Sequence, residues 1–313
     1  TAYEIRPRDW SSDVCSSDLF NKILEVDPIS RTATVQSGVR NLAISEAAAP
    51  HGLYYAPDPS SQIACTIGGN VAENSGGVHC LKYGFTVHHV LGVDVVLPNG
   101  DLVTLGGSTL DAPGLDLLGV VIGSEGTLGV VTRATLRLLR KPEAVLTLLA
   151  AFDSIDEAGG AVSSIISHGI VPAAVEMMDR LTIQAAEASV HPNFPEREAV
   201  LIVELDGPEG EVHELFDVVE RVCRDAGAVS VEIARSQDQR DRIWKGRKAA
   251  FAAMGRVSPN YYVQDGVVPR TKLPEVLGRI RDLSIRSGLR IGNVFHAGDG
   301  NLHPLICYDE SVP

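Results

Sequence analysis

The segment His296-Ala-Gly-Asp-Gly-Asn-Leu-His303 sets two imidazoles on either side of a Gly-Asp-Gly-Asn turn. Such a turn can fold the chain back so that both rings converge on one point, whereas a straight strand of the same length would hold them far apart. Converging imidazoles can hold a divalent ion such as zinc, manganese or iron, polarise a hydroxyl, or take its proton. The plainer alternative is that both rings make structural hydrogen bonds while Asp299 and Asn301 shape the turn. A different chemistry is suggested by residues 57–84, PDPSSQIACTIGGNVAENSGGVHCLKYG. The pairs Gly68-Gly69 and Gly76-Gly77 lack side chains and let a backbone approach a ligand closely. Amides exposed in this way hold phosphate oxygens without lysine or arginine, so a nucleotide cofactor is the natural guest. Read alone, Arg247 in WKGRKAAF belongs to a solvated helix face with Lys245 and Lys248.

These residues need a scaffold, and the composition says which kind. The 313 residues are 44% hydrophobic, enough to bury a core and form two domains. The 27 basic against 40 acidic residues leave −13, which argues against a nucleic-acid or anionic-membrane surface, so any bound anion must be held locally. No apolar run is long enough to span a membrane and no signal peptide is evident, which makes the cytoplasm the expected compartment. Cys15, Cys65, Cys80, Cys223 and Cys307 stand singly, with no CxxC, so no zinc or iron–sulfur framework is expected within the chain. Residues 1–19 are serine- and aspartate-rich, aperiodic, and resemble translated sequencing-adaptor read-through. They are set apart from the fold as foreign sequence or a disordered tail, so Trp10 and Cys15 carry no functional weight.

From Phe20 the pattern is that of mixed helix and sheet. A strand over 32–36, a helix capped by Asn41 and stopped at His51-Gly52, and a hairpin at Pro98-Asn99-Gly100-Asp101 are expected. Residues 57–84 read as ordered loop or tightly turned strand rather than helix. A Gly-rich turn over 123–129 leads into another strand. Lys141-Pro142 marks a domain boundary, dividing 20–141 from 142–313. Beyond it, strands over 145–151, 173–178, 200–205, 229–233, 261–268 and 291–295 alternate with helices over 154–168, 179–189, 211–226, 244–251 and 271–287. That alternation suggests an antiparallel sheet covered on one face. Val212, Leu215, Phe216, Val219, Val222 and Cys223 form one apolar stripe, which makes Cys223 a core residue.

The segments 57–84, GSEGTLGVVT, WKGRKAAF, YYVQDGVVPR and HAGDGNLHP, in that order, resemble the FAD-linked oxidases, the family of D-lactate and D-2-hydroxyglutarate dehydrogenases, and most of all their glycolate-oxidising branch. The resemblance covers residues 20–313. It implies an α+β chain: an FAD-binding domain of the vanillyl-alcohol-oxidase/PCMH type, then a substrate-side α+β domain with an antiparallel sheet. Both domains are expected to be partial, since the family's first pyrophosphate-binding loop would precede Phe20 and a last segment would follow Pro313. Carried over by position, Pro57, Asp58, Gly68, Gly69, Asn70, Ser75, Gly76 and Gly77 would line the flavin and its pyrophosphate. Glu125, Gly126 and Gly129 would approach its adenine side, and Lys82 and His79 would be flavin neighbours or else a solvated lysine and a histidine with its hydrogen bonds satisfied. His296 and His303 would be metal ligands, completed in the dehydrogenase branch by a later glutamate.

Oxidising a 2-hydroxy acid needs a cationic clamp for the carboxylate, a way to remove the hydroxyl proton, and a hydride acceptor. Arg247 matches the family's carboxylate-binding arginine, and His296, His303 and Asn301 would face the reacting group. Hydroxyglutarate-oxidising relatives carry a lysine and a threonine where this chain has Val263 and Phe251, so a second substrate carboxylate would lack a partner. A small monocarboxylate such as glycolate or D-lactate is therefore the expected substrate. Companion subunits, one an iron–sulfur protein, and peripheral attachment at the inner membrane through them, are also implied. D-lactate oxidation, and a flavin-binding subunit without chemistry of its own, remain as alternatives. A nucleotide hydrolase is disfavoured because GxxxxGK[ST] is absent.

Overall fold

The computed structural model describes residues 20–110 and 114–311; the stretch 1–19, expected to be foreign or disordered, lies outside the described residues. The chain divides between Lys141 and Pro142 into two compact units.

The first unit is built on β1 (Ile23–Asp27), β2 (Thr32–Gln36), α1 (Asn41–Ala48), β3 (Leu53–Tyr54), α2 (Ile67–Glu73), α3 (Cys80–Tyr83), β4 (Val90–Val96), β5 (Leu102–Gly106), α4 (Leu117–Val121), β6 (Val130–Arg137) and β7 (Leu139–Arg140). Its antiparallel sheet has the order β1-β2-β6-β4-β5. The core below it includes Val35, Ile44, Ile67, Val71, Val95 and Leu136, contributed by strands and by α1 and α2 alike. The expected hairpin is present: Val96 pairs with Leu102, and Gly100 takes the left-handed backbone (φ +88°) that closes the loop.

Two local expectations are corrected. Asn41 does not cap α1; Arg40 precedes the helix, and the Asn41 carboxamide donates instead to the Pro57 carbonyl at 3.0 Å. Residues 57–84 are not all loop, because they contain α2 and α3. Thr66 caps α2 by accepting from the Gly69 amide at 3.3 Å, and Asn74 ends it in the left-handed region at φ +49°. Glycine is a poor helix former, but the packing of Ile67 and Val71 into the core outweighs propensity over so short a segment.

The second unit comprises β8 (Ala144–Phe152), α5 (Ile155–Ser167), β9 (Ala174–Asp179), α6 (Arg180–Val190), β10 (Ala199–Gly207), α7 (Glu209–Asp225), β11 (Ser230–Ile233), α8 (Gln237–Ala253), β12 (Asn260–Val263), β13 (Gly266–Val267), α9 (Leu273–Ser287), β14 (Ile291–His296), β15 (Asn301–Leu302) and β16 (Pro304–Tyr308). The sheet runs β11-β8-β10-β9-β14-β15-β13, with β16 joining β12 to β14, and all its pairings are antiparallel. Consecutive residues along β9 and most of β8 and β10 are buried, so both faces of the sheet are covered and the expected one-sided cover is corrected. α5 and α7 pack on each other and on β8 and β10, while α6 and α8 pack together. The single strand expected over 261–268 is two, β12 and β13. Cys223 lies in the core as its apolar stripe requires, and burial pushes its thiol up to about 12, which makes it inert.

Candidate functional site

In the second unit the site is assembled by strand register. Residues two apart on a strand share a face, so Glu176 on β9 and its antiparallel neighbour His296 on β14 point the same way. The Glu176 carboxylate is fully buried. Its Oε1 meets His296 Nδ1 at 2.7 Å, and its Oε2 accepts from Arg247 Nε at 2.8 Å and Nη2 at 2.6 Å. Arg247 is brought there by α8, which Ser236 starts by accepting from the Gln239 amide. Arg240, Trp244, Arg247 and Phe251 recur on one face of that helix. The first two bond Glu204 on β10: Arg240 by two hydrogen bonds of 2.9 Å and Trp244 Nε1 at 2.7 Å. Glu204 also accepts from Thr147 at 2.6 Å. Buried carboxylates in the sheet thus dock the helix that delivers Arg247. The surface reading of Arg247 is overturned: it is 4% exposed, whereas Lys245 and Lys248 are exposed.

The turn after His296 brings the second imidazole in. His296 pairs directly with Asn301, and Gly300 adopts φ +80° where any Cβ would strike the Val268 carbonyl. The rings of His296 and His303 lie edge-on with centroids 5.0 Å apart, and Phe251 packs against His303 at 5.7 Å. The histidines, Arg247 and Asn301 therefore come together, joined by Glu176 and Asp299. Among the described residues, His303 Nδ1 and Asn301 Oδ1 are buried without a hydrogen-bond partner. Glu176 went unrecognised in the sequence, although a lone carboxylate in AVEMMD, as in VLIVELDG, was a usable signal: charges buried in strands are paired or functional.

Electrostatics separates the two imidazoles. Burial works against a charge on His296, but the Glu176 carboxylate and its hydrogen bond outweigh it and raise the ring above its usual value. Burial, His296 and Arg247 push His303 down to about 4, with Asp265 Oδ1 at 3.7 Å opposing. Burial disfavours the Glu176 anion, yet His296 and Arg247 hold its carboxyl below the usual range. Burial raises Asp299.

In the first unit the glycine-rich residues are arranged differently from expectation. The amides of Gly68, Gly69 and Gly77 are taken by the Ser37 carbonyl, Thr66 Oγ1 and Cys80 Sγ, so they are not an open row of donors. Gly77 packs where a Cβ would strike the Asp58 carbonyl. Ser75 donates its amide to Asn70, and Gly76 lies against Cys80 and Phe85. A narrow cleft of about 20 Å³ joins Gly68 and Ala72 to Ser124, Gly126 and Gly129. The loop is held to α2 by the Gly123 and Glu125 amides, and Glu125 itself is exposed with φ +52°. His79 bonds Asp58 Oδ2 at 2.8 Å, and Lys82 Nζ lies 5.5 Å from the Tyr83 ring centroid. Ser37 Oγ, Asp58 Oδ1 and Asn70 Nδ2 are buried without hydrogen-bond partners among the described residues. Unmet donors and acceptors of this kind fit a polar cofactor better than they fit an empty turn.

The family descriptions "FAD binding domain" and "FAD linked oxidases, C-terminal domain" match residues 14–106 and 141–313. Over 295 residues the chain is 56% identical to glycolate oxidase subunit GlcD of Escherichia coli, covering 94% of this chain and 59% of that one. It is 33% identical over 300 residues to a D-lactate dehydrogenase of Anaerostipes hadrus, covering 93% and 63%. Among solved structures, an alkyldihydroxyacetonephosphate synthase superposes with TM-score 0.75 at 21% identity over 92% of this chain and 60% of that one. p-Cresol methylhydroxylase does so with TM-score 0.72 at 15% identity over 93% and 65%. The chain thus spans less than two thirds of the length of these relatives.

Proposed function

The chain belongs to the FAD-linked oxidases, flavoproteins whose FAD-binding domain has the vanillyl-alcohol-oxidase/PCMH fold, and from that premise we propose that it oxidises a small 2-hydroxy monocarboxylic acid, glycolate to glyoxylate. The observation that carries the proposal is the meeting of Arg247 and His296 on one buried carboxylate, with His303 beside them. When bound, FAD would supply the hydride acceptor, flavin N5. It would be lined by Pro57, Asp58, Gly68, Gly69, Asn70, Ser75, Gly76 and Gly77, with Glu125, Gly126 and Gly129 toward the adenine.

Arg247 spends its Nε side on Glu176 and keeps Nη1 for the substrate carboxylate. His296 is the proton acceptor for the hydroxyl, since the Glu176 carboxylate makes it the more basic of the two rings, and His303 at about 4 is too weak. The Glu176 carboxylate steadies the imidazolium that forms, as in a carboxylate–histidine pair. Among the described residues His303 Nδ1 and Asn301 Oδ1 lack partners; the first would donate to a substrate oxygen, and the second, which can only accept, would orient the substrate hydroxyl. Phe251 and Val263 offer no charge to a second carboxylate.

A divalent ion, zinc, manganese or iron, would take His296 and His303 as ligands. Two imidazoles are only a partial donor set, and among the described residues no group of three His, Cys, Asp or Glu is arranged to hold a metal ion, so the roles given to Arg247, His296 and Glu176 do not depend on one. The proposed context is a cytoplasmic protein, with companion subunits that include an iron–sulfur protein and hold it at the inner membrane; no described helix is long and apolar enough to cross one. D-lactate is the second substrate reading, supported by the D-lactate dehydrogenase relative. Anaerobic addition of each acid to the FAD-loaded protein discriminates: glycolate is expected to bleach the flavin faster than D-lactate, and D-2-hydroxyglutarate hardly at all. A flavin left oxidised by all three would overturn the proposal in favour of a binding subunit.

A further inference from the structure

We propose that Glu176 is a positioning residue, which dictates which nitrogen of His296 faces the substrate and leaves Arg247 a single free edge. The proposal deepens the 2-hydroxy-acid reading and rests on it for the substrate, but its geometry stands on the carboxylate alone. An ionised carboxylate only accepts hydrogen bonds. His296 Nδ1, 2.7 Å from Oε1, must therefore be the donor, which leaves the lone pair of a neutral ring on Nε2. The other oxygen serves the arginine: Nε at 2.8 Å and Nη2 at 2.6 Å both reach Oε2. One carboxylate thus divides its two oxygens between the two cationic partners. Neither partner can rotate without leaving a fully buried anion short of a donor, and that cost holds both side chains in place. Because one side of the guanidinium is consumed in this way, Arg247 can clamp only one incoming carboxylate.

Replacement by glutamine separates positioning from mere structural support. Arginine has no acceptor, so the oxygen of the E176Q amide must face Arg247 and its NH2 must face His296. An NH2 donor needs an acceptor at Nδ1, which moves the imidazole proton to Nε2 and removes the lone pair from the substrate side. In the neutral ring, read in alkaline buffer by long-range 15N–1H NMR correlation, the wild type is expected to show the Nδ1–H form and E176Q the Nε2–H form. In the FAD-loaded protein, kcat for glycolate is expected to fall about 100-fold in E176Q. KM should stay within about threefold, because Arg247 keeps its partner. A wild-type ring carrying its proton on Nε2, or an E176Q protein with wild-type kcat, overturns the proposal. If E176Q does not fold, the wild-type spectrum alone decides. A wild type that shows the Nδ1–H ring yet oxidises no 2-hydroxy acid supports the positioning role and defeats the substrate reading instead.

Discussion

Glu176 shows how a charge survives inside a sheet. It has no access to solvent, yet its carboxyl is held below the usual range, because the opposing effect of burial is exceeded by His296 and Arg247. The reciprocal effect raises His296, and this has a kinetic consequence with a definite sign. A base must be deprotonated to act, so kcat/KM is expected to fall about tenfold per pH unit below the His296 value, which Glu176 holds above that of an ordinary imidazole. His303, at about 4, stays neutral through that range and adds no second inflection near neutrality. A profile flat between about pH 5 and 8 would contradict the assignment of His296 as base. Both histidines were legible in the sequence as a convergent pair, whereas Arg247 was a candidate only through the family resemblance. Glu176 was not, since a single carboxylate among apolar residues acquires meaning only from its neighbours across the sheet.

At the scale of elements, α8 and the turn between β14 and β15 do the positioning. α8 is docked by Glu204, which accepts from Thr147, Arg240 and Trp244 and is itself 1% exposed. Glu204→Ala would strand those donors in the interior and is expected to cost about 3–5 kcal/mol. Glu220→Ala on α7, which breaks only a surface pair with Arg224 spaced i,i+4, is expected to cost about 0.3–0.5 kcal/mol. Urea denaturation of the two variants tests the contrast, and equal losses would show that α8 is not held in this way. The turn was predictable from Gly-Asp-Gly-Asn, because Gly300 alone tolerates both its backbone angle and the approach of Val268. α2 was misjudged. Glycine content argued for loop, but the Thr66 cap and the packing of Ile67 and Val71 carried the segment into a helix.

Over the whole molecule, the two units each carry their own antiparallel sheet. The core of the second is closed on both faces of its sheet by helices of its own, so residues 142–313 produced alone are expected to melt cooperatively with the helix and strand content they have here. A non-cooperative melt, with near-UV circular dichroism lost, would show that this core needs more than its own residues. With a balance of −13, recognition of the proposed acidic substrate would fall to local groups such as Arg247.

The sequence by itself determined the order of strands and helices from residue 144 to 296 apart from the division of 261–268 into two strands, the turn that folds His296 toward His303, and the family, because periodicity, turn chemistry and ordered motifs act over short spans. Only the tertiary structure decided that Arg247 is buried, that the sheet is covered on both faces, that the amides of Gly68, Gly69 and Gly77 are already engaged, and that one carboxylate joins Arg247 to His296. Each of these depends on residues dozens of positions apart, Glu176 with Arg247 and His296 above all, whose meeting is set by strand register and helix docking and leaves no local trace in the chain.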